Sequence, residues 1–162
     1  MMEKTRFDEA LGKLQALCSK KECCSSEILS KAVKLLEGDT EAAGELLERL
    51  KDDSYVDDLR YASAFAREKS SLTGWGPVKI SVQLRMKGIP KETINAALAE
   101  VDPEAAGNRM EKLMAAKWKT LQGDPYAKFK LIKYALTRGY DYDCVAPVAE
   151  SLSRQSLSED SQ

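Results

Sequence analysis

The sequence predicts an all-α protein made of three tandem three-helix repeats that form an elongated, curved array. Leu, Ala, Glu and Lys dominate the chain, and all four are strong helix formers. Val, Ile and Thr are scattered, with no alternating run that would make a strand. Three apolar-periodic runs end in Gly38, Gly88 and Gly139, spaced 50 and 51 residues apart. A regular spacing of that length is the mark of a helical repeat.

Each repeat is punctuated in the same way. Leu35-Leu36-Glu37-Gly38-Asp39, Arg85-Met86-Lys87-Gly88-Ile89 and Leu136-Thr137-Arg138-Gly139-Tyr140 are the same helix exit met three times. A glycine just past a helix supplies the left-handed residue that turns the chain away. Gly44, Ile94 and Val145 follow at a fixed offset, then Leu47, Ala97 and Val148, as one face of the third helix of each unit. Helix starts are marked by Asp39-Thr40-Glu41, Gly76-Pro77, Pro90, Asp102-Pro103-Glu104 and Asp124-Pro125. Proline suits the first turn because its missing N–H has no partner there, and Asp can cap the N–H groups that follow. These marks place helices at roughly 3–18, 25–37, 40–51, 55–71, 77–87, 90–100, 103–122, 125–138 and 142–155. Pro147 falls in the last of them, near its first turn or at a kink. The repeats are then 1–54, 55–102 and 103–155, with an acidic disordered tail at 156–162.

Composition narrows the chemistry. The 162 residues are 43% hydrophobic and 31% charged, ordinary for a folded chain, with a net charge of −1. There is no histidine, so neither a Ser-His nor a Cys-His nucleophile pair can be built. Cys18, Cys23, Cys24 and Cys144 lack the paired spacing of a zinc site and read as reduced, small apolar residues. No phosphate loop or GxGxxG fingerprint is present. The expectation is a non-enzyme without catalytic residues, cofactor or metal. Met1-Met2-Glu3-Lys4-Thr5-Arg6 is too charged to open a secretory signal, and no stretch is apolar enough to span a bilayer. A cytoplasmic monomer is expected.

Charge is unevenly spread. Between residues 109 and 140, Arg109, Lys112, Lys117, Lys119, Lys128, Lys130, Lys133 and Arg138 face only Glu111 and Asp124. Trp118, Tyr126, Phe129 and Tyr134 are interleaved with them. Such a segment suits a phosphate backbone or an acidic protein surface. Trp118, Phe129 and Tyr134 are expected in the core. Phe129, Ile132 and Leu136 share helical spacing and are expected to face inward, leaving Lys128, Lys130 and Lys133 outward. The first repeat is acidic, with Glu41, Glu45, Glu48, Asp52, Asp53, Asp57 and Asp58 close together.

Two blocks in the middle of the chain carry a family resemblance. Tyr55-Val56-Asp57-Asp58-Leu59-Arg60-Tyr61-Ala62 with Ala64-Phe65 is the first, and Trp75-Gly76-Pro77-Val78-Lys79-Ile80 with Gln83-Leu84-Arg85-Met86-Lys87-Gly88-Ile89 is the second. Together they resemble the RecX family, whose members are built of three three-helix repeats. The likeness covers roughly residues 3–150 and is sharpest over 55–98. It implies a regulatory protein of DNA repair, recombination and the SOS response. Such a protein binds the RecA–single-stranded DNA filament, some members touching single- or double-stranded DNA directly. Inhibition of RecA ATPase, strand exchange and coprotease activity is the implied effect. The alternatives are an autonomous nucleic-acid-binding repeat protein acting through its basic third unit, and a helical scaffold for another partner.

The motif residues are read mainly as structural. Asp57 and Asp58 cap or open the fourth helix, Arg60 is expected to reach those carboxylates or another unit as an interhelical pair, and Tyr61 packs on Phe65. Trp75, Gly76 and Pro77 set the start of the fifth helix, and Gly88 ends it. The expected contacts with RecA or DNA are Lys79, Arg85, Lys87, Lys117, Lys119, Lys128, Lys130, Lys133 and Arg138. The acidic first unit is given no DNA-binding role.

Overall fold

The computed structural model describes residues 2–160, and the side chains of residues 5–158. The acidic end of the expected tail, from Glu159 on, therefore lies beyond the described side chains. Among the described residues the chain is helical throughout, with no strand. The α-helices are α1 (Met2–Lys20), α2 (Ser25–Leu35), α3 (Thr40–Asp52), α4 (Asp58–Glu68), α5 (Pro77–Met86), α6 (Lys91–Ala99), α7 (Pro103–Thr120), α8 (Ala127–Thr137) and α9 (Tyr142–Asp160). A π turn, Lys69–Thr73, continues α4. None of these helices is long and apolar enough to cross a membrane.

Two helix ends depart from the expected ones. α4 starts three residues late, because Ser54 at φ 64° turns the chain and Val56 is drawn into the core. Asp57 then opens the helix by accepting the Arg60 N–H at 3.0 Å. α9 runs on to Asp160, past the expected end at 155, with Pro147 inside it. The three repeated glycines are all left-handed, with φ of 89°, 79° and 96° at Gly38, Gly88 and Gly139.

The chain folds as two compact units, one of residues up to Ala64 with Leu84–Ala97, the other of Phe65–Gln83 with residues from Leu98 on. In the first, α1, α2 and α3 close on Leu11, Leu14, Ile28, Ala32, Leu46, Leu50 and Val56. Asp58 reaches across to cap α2, accepting the Ser25 N–H at 2.8 Å, since the N-cap residue Cys24 makes no side-chain cap of its own. The Arg60 guanidinium makes no hydrogen bond to either aspartate. Its Nε donates to Glu22 at 2.7 Å and its Nη2 to the carbonyls of Ser54 and Tyr55 at 3.1 and 3.3 Å. Arg60 thus holds the turn into α4 against the segment after α1.

In the second unit Met110, Met114, Leu121, Leu131, Ala135, Tyr140, Val145 and Ala149 form the core. Trp118 is half-buried, its indole N–H donating to Ser156 Oγ at 2.7 Å. Phe129 and Leu136 correct an expectation. Leu131 and Ala135 carry α8 onto the core, while Phe129 and Leu136 stand 69% and 42% exposed. Apolar residues occupy two faces of this helix, so periodicity alone could not tell which face is inward.

The cysteines are all free thiols; Cys23 and Cys24 are buried, Cys18 is half-buried and Cys144 is exposed. Burial, helped by the neighbouring Cys23, pushes the Cys18 thiol up to about 12. Burial also raises Cys23. Thiolate is the reacting species, so an aromatic disulfide reagent at about pH 8 is expected to modify Cys144 in a fast phase and the other three only as the chain opens. A fast phase of more than one thiol per chain would contradict this arrangement.

Candidate nucleic-acid interface

The site is built where α5 meets the exit of α8. The first N–H groups of a helix have no partner within it. Here the Gly76 N–H donates to the Arg138 carbonyl at 2.8 Å and the Val78 N–H to the Gly139 carbonyl at 2.9 Å. The two segments touch backbone to backbone. A Cβ on Gly76 would lie 2.4 Å from the carbonyl carbon and oxygen of Gly139, and one on Gly139 would lie 2.2 Å from Lys79 Cβ. The Tyr140 hydroxyl donates to the Gly74 carbonyl at 2.9 Å, and Arg138 Nη1 to the Thr73 carbonyl at 3.2 Å. Glycines at both positions bring Trp75 and Lys79 beside the C-terminal turn of α8.

The result is an open groove of about 690 Å³, lined by Thr73, Trp75, Lys79, Lys117, Leu121, Lys130, Lys133, Tyr134, Thr137 and Arg138. Five of these are cations and none is acidic. Two aromatic rings sit in it, each attended by two cations. Over Trp75 lie Lys69 Nζ at 4.9 Å and Lys79 Nζ at 4.5 Å from the ring centre. Over Tyr134 lie Lys117 Nζ at 5.2 Å and Arg138 Cζ at 5.1 Å. Phe65 meets the Trp75 ring edge-on at 6.2 Å. Among the described residues, Lys79, Lys117, Lys133 and Arg138 have no carboxylate ion-pair partner. Their charge is therefore available to an anion, and the Trp75 and Tyr134 rings can take a base or another flat group.

Residues 57–98 match the model of the RecX second three-helix domain. A regulatory protein RecX of Mycolicibacterium smegmatis is 30% identical over 116 residues, covering 65% of this chain and 62% of the relative. One from Clostridium botulinum is 31% identical over 116 residues, covering 69% of this chain and 54% of the relative. The chain is similar to the RecX family in sequence and in fold. A regulatory protein RecX of Oceanobacillus iheyensis is 26% identical over 79% of this chain, and the match spans only 48% of that relative. The chain thus spans about half the length of the RecX relatives it matches. A crystal structure of a regulatory protein RecX superposes with a TM-score of 0.82 at 22% identity, covering 92% of this chain and 74% of the other. The RecX of Lactobacillus salivarius superposes at 0.79 and 19% identity, covering 93% and 98% of the two chains. The all-α architecture of three-helix domains is thus the RecX fold.

Within this RecX fold, the nine expected contact residues separate. Lys79, Lys117, Lys130, Lys133 and Arg138 come together in the groove. Lys130 is shared with Asp124 at 2.5 Å, and that hydrogen bond holds the Asp124 carboxyl below its usual range. Lys128 pairs with Glu150 and lowers that carboxyl in the same way. Lys119 stands exposed at the end of α7, outside the groove. Arg85 and Lys87 belong to the other unit, where Lys87 Nζ lies 5.9 Å from the Tyr61 ring centre and its carbonyl accepts from Ser26 Oγ. Sequence reasoning missed Lys69 and placed Trp75 and Tyr134 as packing residues. The four-residue spacing of Tyr134 and Arg138 on one helix was a readable signal. The approach of Lys69 and Lys117 was not, because it depends on the π turn and on helix packing.

Proposed function

We propose that this chain regulates a RecA-class recombinase by binding the filament that the recombinase forms on single-stranded DNA, and that the effect is inhibition. It acts by binding, as a cytoplasmic monomer, and carries out no chemistry of its own. The observation that supports this reading is the acid-free groove of five cations and two cation-flanked rings on a chain similar to the RecX family. Phosphodiesters supply one negative charge per nucleotide and bases supply flat faces, so single-stranded DNA in the filament matches both features. An acidic protein surface would match only the first.

The test is the recombinase's single-stranded-DNA-dependent ATPase, titrated with this chain at two salt concentrations. Inhibition is expected, weaker at the higher salt, and lost in a Lys117→Glu/Lys133→Glu variant that keeps its helical circular dichroism. An unchanged ATPase at every dose would reject the reading. Oligonucleotide binding without effect on the recombinase would favour the second reading, an autonomous nucleic-acid-binding protein, which the same groove supports.

A further inference from the structure

We propose that the outer face of α8 is a docking surface for an acidic amphipathic helix of a protein partner. It stands apart from the groove reading because its chemistry is different. Phe129, Ile132 and Leu136 recur at helical spacing, so they form one stripe about 10 Å long on the helix. Phe129 and Leu136 are exposed, and Tyr126 at the start of the stripe is 68% exposed. With Lys133 and Thr137 they line a shallow depression of about 360 Å³. Isolated exposed apolar side chains are ordinary, but a contiguous stripe across two helical turns marks an interaction surface.

The identity of the occupant follows from what surrounds the stripe. Ile132 and Leu136 are aliphatic and offer a nucleic acid neither a stacking face nor a donor to phosphate. They do suit the apolar ridge of a helix, read through anchors at i, i+3 and i+7. Charge sets the other half of the match. Lys133 and Thr137 belong both to this depression and to the cationic groove, so one border of the stripe is positive. No carboxylate lines the depression. A helix lying along the stripe would place one flank over Lys133, which has no carboxylate partner among the described residues, and glutamates or aspartates on that flank would be attracted there. A basic amphipathic helix would be repelled, which gives the surface its selectivity.

The experiment is fluorescence anisotropy of the full chain with a labelled helical peptide of about 15 residues, leucines at i, i+3 and i+7 and glutamates along one flank. A scrambled peptide of the same composition is the control. Saturable binding is expected, weakened about ten-fold or more by scrambling and to the same degree by Phe129→Ser/Leu136→Ser. Both side chains are exposed, so the variant is expected to keep its circular dichroism and to bind a single-stranded oligonucleotide as the parent does. Equal binding of the scrambled peptide, undiminished binding by the double variant, or no saturable binding would each overturn the proposal. The oligonucleotide arm separates its failure from that of the groove.

Discussion

Gly139→Ala is expected to lower stability by about 3 kcal/mol or more, because a left-handed backbone and an overpacked contact are penalised together. Gly139 sits at φ 96°, and a Cβ there would meet Lys79 N at 2.6 Å and Lys79 Cβ at 2.2 Å. Neither neighbour is the free end of a side chain, so the N-terminus of α5 would have to move. The repeat itself provides the control. Gly88 is equally left-handed, yet a Cβ there would lie 3.7 Å from its nearest neighbour, Ser26, in ordinary contact. Gly38 has nothing within 4 Å. Alanine at either is expected to cost only the conformational penalty, about 1–2 kcal/mol. For a chain of this size the three substitutions should separate in thermal midpoint, roughly 6–12 °C for Gly139→Ala and 2–8 °C for the others. Equal losses at all three would mean that α5 is not seated on the α8 exit as described.

That contrast also marks what the sequence made legible. The helix exits at Gly88 and Gly139 could be read because a left-handed C′ residue is a local requirement with a local signature, whereas at the first exit Glu37, at φ 55°, takes the C′ position and Gly38 follows it. The helix starts were legible for the same reason: Asp39 and Asp102 accept the N–H groups that follow them, at 3.0 and 3.1 Å. What one glycine does for another was not legible. Gly76 and Gly139 touch across 63 positions, and nothing local distinguishes a glycine that turns the chain from one that also admits a second backbone. Asp58 is a similar case. It was read as opening its own helix, and it caps α2, 33 residues earlier.

The same division runs through the site. An excess of cations between residues 109 and 140 was plain, but excess charge does not say which cations converge. Lys128 and Lys119 lie in the same segment as Lys130 and Lys117, yet one is neutralised by Glu150 and the other stands outside the groove. Lys79 comes from α5 and joins through the seating of that helix on Gly139. The misplacement of Phe129 and Leu136 had one physical cause. α8 carries apolar residues on both faces, and packing on Leu131 and Ala135 decided between them.

Convergence of cations, rather than total charge, is expected to set the affinity for a single strand. Lys79→Gln/Lys117→Gln/Lys133→Gln removes three groove cations that have no ion-pair partner among the described residues. Lys112→Gln/Lys119→Gln/Lys128→Gln removes the same charge from exposed positions outside the groove. Binding of a single-stranded oligonucleotide is followed by anisotropy against salt. Each phosphate contact contributes about 0.7 to the slope of log affinity against log salt for a single strand, so the groove variant should lose about 2 from that slope. At about 50 mM salt its affinity should fall roughly a hundred-fold or more by the same relation. The outer variant should shift the curve slightly and keep its slope, because its lysines act through the screened general field and not through bound phosphates. Arg138 is left intact in both, since its guanidinium also ties α8 to the Thr73 carbonyl and its loss would mix folding with binding. Equal loss of slope in the two variants would make the basic segment a diffuse attractor and the groove no more than a part of its surface.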